Sequence, residues 1–560
     1  MEDIVLKWAL KNAIDHNGKA VEGAVISKVI GEHPEARKDM KKLALTIKEK
    51  VRQVNAMDIA EQITALEKIE PKLLEKKKVE QSLPLLPKAK KGKVVMMFPP
   101  EPSKYPTIGH AKACILNNHY ARENQGKFFI RFEDTNANKV KEVYYAMFLE
   151  DFEWLGIQWD DVDYISAHIE ELYDKAEELI DAGNAYMCNC PADKVKEMRN
   201  KKEPCLCRDN PPEENLGLWN QMLENEFKQG EYALRAKIKM NHKNAVMRDP
   251  AIMRTVIGTH PRVGDEFTVW PTYDFATAMM DGIEGITHRV RGKEFELRAE
   301  LQNWLQKKLK VKPPVIVEFA RFNLEGVPAS GRVIREGIAS GQFIGWDDPR
   351  LPTLIALRKR GFQPQAIWNF VMHSGLSKTE SVIQWDVLEA ENRKVIEPVA
   401  NRYFMVNDEV EMTVRGIPDK YSAQIRLHPD NEKAGFKSYE FEKEEHFLVN
   451  KSDIIGRKPE ETIRLMELGD VKLHIVSGQE VIAQFVSRER GKDSKIVHWV
   501  KPDGAIDVEV MMPDAEIKYG IAEEAARKLK VGDIIQFVRF GFCRLDEKQD
   551  EILRFRFTHM

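Results

Sequence analysis

Apolar runs alternate with helical patterns between residues 93 and 185, and this alternation restricts the fold more than any other feature of the chain. The segments Lys93 to Phe98 and Lys127 to Phe132 have the length and apolar content of buried strands. Helical patterns follow them, ending near Arg122 and Trp154. Strands that alternate with helices in this way predict an α/β fold with a doubly wound, Rossmann-type parallel sheet.

A proline-rich loop joins the first strand to a helix that we expect to begin near Gly109. His110 lies at this turn, where its ring can reach the crevice at the carboxyl end of the sheet. The free N–H groups of a helix N-terminus carry a partial positive charge, which suits phosphate. An ordinary loop with a histidine at a helix start explains the Gly109-His110 pair as well. The chain contains neither a Walker A loop nor Gly-x-Gly-x-x-Gly, which disfavours P-loop ATPases and dehydrogenases.

Size and charge limit the remaining classes. A chain of 560 residues allows roughly three to four domains. Its formal net charge of −3 gives no general basic field, so any RNA-binding surface must come from local clusters of lysine and arginine. The first residues lack the regions of a secretory signal, and no apolar run approaches membrane-spanning length. We therefore expect a cytoplasmic protein whose partners include neither a membrane nor DNA.

Four of the six cysteines form two close pairs with fourteen residues between them: Cys188, Cys190, Cys205 and Cys207. Two such pairs can surround one tetrahedral ion, so we predict a structural Zn²⁺ site. A knuckle without metal and a redox role remain alternatives, because Cys-x-Cys is less diagnostic than Cys-x-x-Cys. We expect Cys114 and Cys543 to be packing residues.

The flanking regions have different patterns. Leu6, Ala9, Leu10 and Ala13 recur at helical spacing and predict a helical N-terminal region, which composition alone describes only as an interaction module. A lysine- and proline-rich stretch follows and is typical of a linker. From about residue 400, short alternating segments between turn-forming residues predict one or two β-barrels.

The fourteen residues Pro100–Ala113 resemble the HIGH signature of class I aminoacyl-tRNA synthetases. Archaeal and eukaryotic members of the glutamyl/glutaminyl branch read much like Pro-Glu-Pro-Ser-Gly-Tyr-Leu-His-Ile-Gly-His-Ala-Lys at this place. This chain departs at Lys104, Pro106 and Thr107, where the family has Gly, Leu and His, and it retains the second histidine as His110.

The resemblance implies an ATP site at this loop and helix end, with Mg²⁺ accompanying ATP. His110 is expected to be catalytic. The residues expected to bind ATP here are Thr107, Gly109, His110 and Lys112. Those expected to contact the substrate in the preceding loop are Pro100, Pro102 and Ser103.

Two further segments match the family. Arg131–Thr135 resembles the family's strand end, and Glu133 occupies the position that holds the substrate ammonium; an acidic surface turn is the alternative. Pro271–Ala276 resembles the segment whose tyrosine contacts the amino-acid side chain, which implies this role for Tyr273. A core aromatic would explain Tyr273 by periodicity alone.

Arg291 bears on the choice of amino acid. Gly285–Glu294 resembles the family block in which glutamyl enzymes have an arginine that glutaminyl enzymes usually lack. A guanidinium forms two charge-assisted hydrogen bonds with a carboxylate and gains no such pair from an amide. The resemblance therefore favours L-glutamate over glutamine, although an ion-pair arginine on the surface would show the same spacing.

Two departures concern charge. Met97 stands where the family usually has an arginine that helps to bind the substrate carboxylate. The loop that begins at Val327 resembles the KMSKS signature, but the family's lysine falls on Gly331. The residues expected to act in this loop are Ser330 and Arg332 as catalytic residues, and Arg332 and Arg335 as ATP-binding cations.

The resemblance covers essentially the whole chain and implies an archaeal-type glutamyl-tRNA synthetase, an ATP-dependent ligase whose partners are tRNA, L-glutamate and ATP. Glutaminyl-tRNA synthetase and a catalytically silent tRNA-binding paralogue are the alternatives. We expect the His110 helix end and the arginine-bearing flap near Arg332 to face each other across one nucleotide pocket. The expected segments are a helical domain (1–68), a linker (69–92), the two halves of the catalytic domain (93–187 and 251–325), an acceptor-end-binding insertion with the cysteines (188–250), the KMSKS-like loop with a helical connecting domain (326–400) and anticodon-binding β-barrels (401–560).

Overall fold

The computed structural model describes residues 2–15, 18–73, 83–326, 330–379, 381–477, 480–491 and 494–560. The chain divides into two compact units, Met1–Ser82 and Leu83–Met560. The lysine run 76–78 and residues 327–329 of the expected KMSKS-like loop lie outside the described residues. Within the described residues, no helix has both the length and the apolar character needed to cross a bilayer.

The first unit is built from helices, as the sequence pattern predicts. Its first helix buries one face with Val5, Ala9, Leu10 and Ala13, while Leu6 stays partly exposed. A capping box begins the fourth helix: the Asp58 carboxylate accepts from the N–H of Glu61, and the Glu61 carboxylate accepts from the N–H of Asp58. The helices are α1 (Glu2–Asp15), α2 (Glu22–Glu32), α3 (Met40–Asn55) and α4 (Ile59–Ile69).

The second unit begins with the predicted parallel sheet. Three parallel strands lie in the order β1-β2-β3 and are linked by two helices. Apolar side chains such as Met96, Phe128 and Ile130 are fully buried between the sheet and these helices. The elements are β1 (Val95–Phe98), α5 (Ile108–Glu123), β2 (Lys127–Phe132), α6 (Glu142–Trp154) and β3 (Asp161–Tyr164).

An antiparallel sheet follows, in the order β4-β5-β6-β7, with its own apolar core around Trp219 and Trp270. It extends beyond the expected insertion 188–250 at both ends, because its first strand begins at Ala185 and because Ala251–Thr255 and Val269–Pro271 continue its ladder after residue 250. The elements are α7 (Ile169–Asp181), β4 (Ala185–Cys188), α8 (Ala192–Lys201), α9 (Pro212–Leu223), β5 (Ala233–Ala236), β6 (Ala251–Thr255) and β7 (Val269–Pro271).

The chain then returns to the parallel sheet. Two parallel strands, β8 and β9, adjoin β1, since the N–H of Thr287 donates to the carbonyl of Val95 at 2.9 Å. Asn117 of α5 fixes β8 from above: its side chain exchanges two hydrogen bonds with the backbone of Val290. The elements are α10 (Tyr273–Ile283), β8 (His288–Gly292), α11 (Glu296–Lys308) and β9 (Val315–Phe319).

The segment just before β1 is not a free linker. Leu86 is buried, the hydroxyl of Tyr120 donates to the carbonyl of Pro84 at 2.7 Å, and the His288 ring lies 3.0 Å from the carbonyl of Pro87. Residues 83–92 therefore pack on the second unit, although their lysine and proline content favours a linker. Apolar residues between the charges supply the contact.

Helices connect the parallel sheet to the C-terminal region. A short parallel pair of strands, β10 and β11, lies before and after the first three of these helices, and the fourth helix follows β11. The elements are β10 (Phe322–Leu324), α12 (Gly331–Ala339), α13 (Leu354–Arg360), α14 (Pro364–Ser374), β11 (Ser381–Ile383) and α15 (Trp385–Ile396).

The described residues of the C-terminal region form two large sheets with separate cores, in agreement with the predicted barrels, and a two-stranded sheet, β15-β16, shares the core of the six-stranded one. A six-stranded sheet, β17-β14-β20-β19-β18-β21, is inserted in the chain between the strands of a seven-stranded sheet, β12-β24-β25-β26-β22-β23-β13. The elements are β12 (Asn401–Tyr403), β13 (Met405–Val406), β14 (Glu409–Arg415), β15 (Tyr421–Arg426), β16 (Phe436–Phe441), β17 (Glu444–Asn450), α16 (Lys451–Ile454), β18 (Thr462–Leu465), β19 (Gly469–Val476), β20 (Val481–Ser487), β21 (Lys495–Val497), β22 (Ile506–Met511), β23 (Ile517–Ala522), β24 (Ile534–Phe537), β25 (Gly541–Lys548) and β26 (Ile552–His559).

Candidate active site

A cavity of about 570 Å³ lies at the carboxyl ends of β1, β2 and β8, where an open α/β sheet usually binds its ligands. Its lining is strongly basic although the whole chain has a net charge of −3. Three glutamates line it: Glu101, Glu133 and Glu294. Eight lysines and arginines line it: Lys104, Lys112, Lys139, Arg254, Arg289, Arg291, Arg298 and Arg321. Such a cavity suits a ligand that carries several negative charges.

His110 lies in the first turn of α5 and lines the cavity beside Thr107 and Gly109. Its Nδ1 accepts the backbone N–H of Thr107 at 2.9 Å, so in the neutral ring Nε2 carries the proton. Burial, followed by the charges of Lys104 and Arg321, holds the pKa of His110 well below its usual value. His110 is therefore a neutral hydrogen-bond donor at the helix end where the sequence predicts phosphate.

Lys112, which is expected to bind ATP, already has contacts within the protein. Its side chain is buried, and its ammonium donates to the carbonyl of Ala320 at 3.2 Å while lying over the ring of Phe322 at 4.1 Å. Burial lowers the pKa of Lys112 to about 8. Lys112 lines the cavity and also ties α5 to the turn after β9.

Three expected substrate-contacting residues act through their backbones instead of lining the cavity. The carbonyl of Pro100 accepts the N–H of Glu133 at 2.9 Å, and that of Pro102 accepts the N–H of Lys141 at 3.2 Å. The carbonyl of Ser103 accepts from Nη1 of Arg335 at 2.8 Å. These bonds fix the loop after β1 against the strand end that bears Glu133 and against α12.

Glu133 is placed to receive a cation. One carboxylate oxygen, Oε1, accepts the hydroxyl of Thr277 at 2.7 Å, whereas the buried Oε2 has no partner among the described residues. Burial raises the pKa of Glu133 to about 7, against the opposing effects of Arg131 and Thr277. An unpaired, desolvated carboxylate oxygen in a cavity is an energetic cost that a bound ammonium would remove.

Arg131 holds this carboxylate from beneath. Its guanidinium is fully buried and lies 2.8 Å from Glu284, 3.3 Å from Asp281 and 3.6 Å from Glu133. Burial disfavours the charge of Arg131, but Glu284 and Asp281 outweigh this effect and raise its pKa. The position of Glu133 is thus fixed by a buried charge network and not by chance packing.

Two arginines of β8 line the cavity because residues two apart on a strand share one face. Arg291 donates to Oε1 of Gln302 at 2.8 Å and to the carbonyl of Phe295 at 3.2 Å, and its buried Nε has no partner among the described residues. Arg289 donates to Asp281 at 3.1 Å and lies 3.4 Å from the hydroxyl of Tyr273. Tyr273 also lines the cavity, at the start of α10.

The flap residues divide into two groups. Gly331 lies against the loop after β1, so that a Cβ added there would be 2.4 Å from Cδ of Lys104, and Arg335 bonds the carbonyl of Ser103. Arg332, in contrast, is exposed and pairs with Glu336 at 2.7 Å along the same helix. Neither Ser330 nor Arg332 lines the cavity. The start of α12 therefore contacts the loop after β1, but the expectation that Arg332 faces His110 across the cavity is wrong, because its place on α12 faces solvent.

Sequence reasoning missed Lys104, Arg254 and Arg289 as cavity residues. Arg289 had a usable signal, since it is two residues from Arg291 on a predicted strand. Arg254 comes from β6 of the antiparallel sheet, and no local pattern indicates that this strand reaches the cavity. Burial lowers the pKa of Arg254, and its side chain has no hydrogen bond or ion pair with another described residue. Met97, at the end of β1, lines the same cavity.

The four paired cysteines come together as the sequence predicts. Sγ of Cys188 lies 3.9 Å from that of Cys205, Sγ of Cys190 lies 3.9 Å from that of Cys207, and all four sulfurs are within 4.8 Å of one another. Tetrahedral Zn–S bonds of about 2.3 Å place sulfurs about 3.8 Å apart, so the donor set fits Zn²⁺. Arg235 supplies positive charge, with Nη1 at 3.5 Å from Sγ of Cys188. Cys114 and Cys543 are buried in apolar cores, which confirms their packing role.

Known protein families match most of the chain. Residues 93–398 match the family described as tRNA synthetases class I (E and Q), catalytic domain. Residues 400–487 and 496–546 match two families that are both described as tRNA synthetases class I (E and Q), anti-codon binding domain. The boundary near residue 400 agrees with the change from helices to sheets.

Several curated proteins are similar over their full length. The glutamate–tRNA ligase of Pyrococcus abyssi is 41% identical over 566 residues, which covers 98% of both chains. That of Thermococcus onnurineus is 40% identical and covers 100% of both chains. That of Methanobrevibacter smithii is 38% identical and covers 100% of this chain and 99% of its own. Among solved structures, a glutamate tRNA ligase from Elizabethkingia meningosepticum is 17% identical, with a TM-score of 0.40, and covers 55% of this chain and 70% of its own.

Proposed function

Because this chain belongs to the class I tRNA synthetases of the E and Q family, we propose that it is a glutamate–tRNA ligase that activates L-glutamate with ATP and transfers it to the 3′ end of a tRNA. The observation that supports this most strongly is the pairing of opposite charges in one cavity. The unpaired Oε2 of Glu133 suits the ammonium of an amino acid, and Arg289 and Arg291 suit its carboxylates.

The proposed first step forms an acyl phosphate bond. The α-carboxylate of glutamate attacks the α-phosphorus of ATP in line. The bond from the α-phosphorus to the oxygen that bridges it to the β-phosphorus breaks, and pyrophosphate leaves with the negative charge that develops on this oxygen. A Mg²⁺ ion bound to the triphosphate would neutralise part of the charge on the leaving pyrophosphate. The protonated Nε2 of His110 donates to the phosphates without adding charge. Positioning and electrostatic stabilisation suffice for such a step, so no nucleophilic side chain is needed.

In the second step the terminal ribose hydroxyl of tRNA takes the glutamyl group and adenylate leaves. The antiparallel sheet beside the cavity contributes Arg254 to its lining and is the proposed binding region for the acceptor end. The two C-terminal sheets are the proposed anticodon-binding region, where unstacked bases are read by stacking and edge hydrogen bonds. Because charged tRNA is consumed by translation, this activity belongs in the cytoplasm.

Glutamate is the proposed amino acid because Arg291 lines the cavity and retains an unpaired N–H among the described residues. The decisive test is ATP–pyrophosphate exchange in the presence of tRNA, with glutamate and glutamine compared at equal concentrations. We expect exchange with glutamate to be faster by at least about 100-fold, the gain expected of a charge-assisted pair in a dry site. Faster exchange with glutamine would identify a glutaminyl enzyme, and exchange with neither would favour a silent tRNA-binding protein.

The tRNA partner needs a separate assay. Charging of unmodified tRNA transcripts with the glutamate and with the glutamine anticodon would show whether the proposed enzyme serves one acceptor or both. The same amino acid, glutamate, is used in both arms, so a difference reports on the tRNA alone.

We further propose that the four cysteines hold a structural Zn²⁺ ion through Cys188, Cys190, Cys205 and Cys207. The ion would cross-link the end of β4 to the short helical turn after α8. We expect one zinc per chain by elemental analysis and a lower Tm after chelation, since structural zinc contributes to folding. A Cys207→Ser variant should bind less zinc while a Cys114→Ser variant binds the full amount. Full zinc content in Cys207→Ser would overturn this assignment.

A further inference from the structure

Lys104 is a cavity cation without a side-chain partner among the described residues. It lies in the loop after β1, lines the cavity beside His110, and has no hydrogen bond or carboxylate within 4 Å among the described residues. Burial lowers the pKa of Lys104, and the nearby charges of Arg321 and Arg335 act in the same direction, whereas Glu101 raises it. A partly desolvated ammonium without a partner is costly unless a ligand anion completes its environment.

Gly331 explains how the stem of Lys104 fits. A Cβ at residue 331 would lie 2.4 Å from Cδ and 3.5 Å from Cβ of Lys104. Gly331 itself is buried at the start of α12, and its backbone gives no reason for glycine, since its φ lies outside the left-handed region. The lysine stem therefore occupies the space in which any side chain at residue 331 would begin.

The two residues are held in register by separate contacts. Arg335 of α12 bonds the carbonyl of Ser103, next to Lys104, at 2.8 Å. On the other side of the loop, the N–H of Ile108 donates to the carbonyl of Pro352, and the N–H of Leu354 donates to the carbonyl of Pro106. The contact between Lys104 and Gly331 is thus part of a fixed junction and not a chance approach of two surface residues.

We infer that Lys104 is a phosphate-binding residue that supplies to the leaving pyrophosphate of ATP the positive charge that Gly331 cannot supply from the flap. The inference rests on the proposed function, since it assigns Lys104 to the nucleotide of that reaction. It also assigns Gly331 a positioning role, which is to leave room for the lysine stem. Where the family has glycine at residue 104 and lysine at residue 331, this chain has lysine and glycine. The two departures together therefore exchange the positions of one lysine and one glycine.

Removal of the charge is the first test. Lys104→Met keeps the stem and removes the ammonium, so we expect the exchange rate with glutamate to fall about 100-fold, the usual cost of one electrostatic group at a developing charge. The KM for glutamate should change little, because Glu133 and Arg291 are intact. Lys127→Met, at an exposed lysine of β2 outside the cavity, is the matched control and should behave as the wild type. An unchanged exchange rate in Lys104→Met would overturn the inference.

Moving the charge is the second test and separates charge from folding. Gly331→Lys alone should lose activity, because its stem collides with Lys104. The double variant Lys104→Gly with Gly331→Lys restores one lysine on the opposite side of the contact, and we expect it to exchange at least about tenfold faster than Lys104→Gly alone. A double variant no faster than Lys104→Gly would contradict the exchange of position.

A binding measurement distinguishes failure of this inference from failure of the proposed function. Binding of inorganic pyrophosphate by the wild type and by Lys104→Met is measured by calorimetry, which needs neither tRNA nor turnover. Weaker binding by Lys104→Met supports the inference even if the wild type fails to use glutamate. Equal binding, in variants whose Tm matches the wild type, overturns it even if the wild type is an active ligase.

Discussion

The two ends of the cavity are built differently. At the end proposed for the amino acid, the buried Arg131 lies within 3.6 Å of three carboxylates, and Glu133 is bonded to Thr277. At the end proposed for the phosphates, Lys104 has no such partner among the described residues, and His110 is neutral. One end holds its buried cation, Arg131, among carboxylates of the protein, whereas the other leaves its cation for a ligand to satisfy.

This difference separates residues whose position is fixed before a ligand binds from residues that need a ligand to complete their contacts. A network fixes the geometry of Glu133 before the amino acid arrives, so binding needs little rearrangement. An unpartnered ammonium keeps its full attraction for a triphosphate but depends on the flap and the loop for its position. Substitutions at the first end should therefore affect affinity and stability together, and those at the second end mainly the chemical step.

The largest effect should follow from Glu133→Gln. The substitution keeps the shape but removes the charge that would hold the substrate ammonium, and loss of one partner from a buried charge pair costs about 3 kcal/mol, or more than 100-fold in affinity. We expect the KM for glutamate in pyrophosphate exchange to rise accordingly, while the KM for ATP changes little.

Glu294→Gln serves as the matched control for this variant. Glu294 also lines the cavity, but it pairs with the exposed Arg321, so its loss should matter much less. Equal effects of the two substitutions would show that the Glu133 network has no special role.

A smaller effect, and one of selectivity, should follow from Arg291→Gln. The variant loses the charge-assisted pair to a side-chain carboxylate, so we expect the preference for glutamate over glutamine to fall about tenfold to 100-fold. Competition between the two amino acids in one charging reaction measures the ratio directly. Arg298→Gln is the control, because Arg298 is half-exposed and pairs with Asp274 at 2.5 Å. If the ratio of glutamate to glutamine charging is unchanged in Arg291→Gln, Arg289 and not Arg291 would be the residue that selects glutamate.

Local patterns were sufficient for much of this site. Alternation of apolar runs and helices located the parallel sheet, and the helix start at Gly109 placed His110 at its carboxyl edge, where the structure has it. The spacing of the four cysteines predicted one cluster, and their sulfurs do converge. These features depend on neighbours in sequence, so the sequence alone carries them.

Long-range pairing could not be predicted in the same way. β12 pairs with β24 and β13 with β23, more than 100 residues later, and the six-stranded sheet lies between them in the chain. Nothing in the short segment Asn401–Val406 indicates such partners. Arg332 shows the same limit at the level of one residue: spacing placed it near the flap, but only packing determines which face of α12 meets the loop.

The pH dependence should differ between the two ends. Burial raises the pKa of Glu133 to about 7, so protonation below pH 7 removes the carboxylate that binds the ammonium. We expect the KM for glutamate to rise about fivefold between pH 7 and pH 6, about tenfold in all above its high-pH value, and to be flat above pH 8. The KM for ATP should not follow this curve, because the pKa of His110 lies well below its usual value and the ring stays neutral.

The control for this pH experiment is Glu133→Gln, in which the KM for glutamate should be high but independent of pH. The raised pKa of Glu133 also affects the stability of the protein without substrate. Since the folded-state pKa of about 7 exceeds the ordinary value of 4.5, the free energy of unfolding should fall as the pH rises through this interval. A KM for glutamate that is independent of pH in the wild type would contradict the assignment of Glu133.

The smallest effect should follow from Arg332→Ala, which separates the phosphate end of the cavity from the flap surface. Arg332 is exposed and its guanidinium is engaged by Glu336 on the same helix, so its removal should leave the exchange rate within about twofold of the wild type. Glu336→Ala is the informative partner, because it frees the guanidinium without deleting it. If Arg332 reached the nucleotide, Glu336→Ala would speed exchange, and Arg332→Ala would slow it about tenfold with a raised KM for ATP. That pair of results would assign the phosphate-binding charge to Arg332 and not to Lys104.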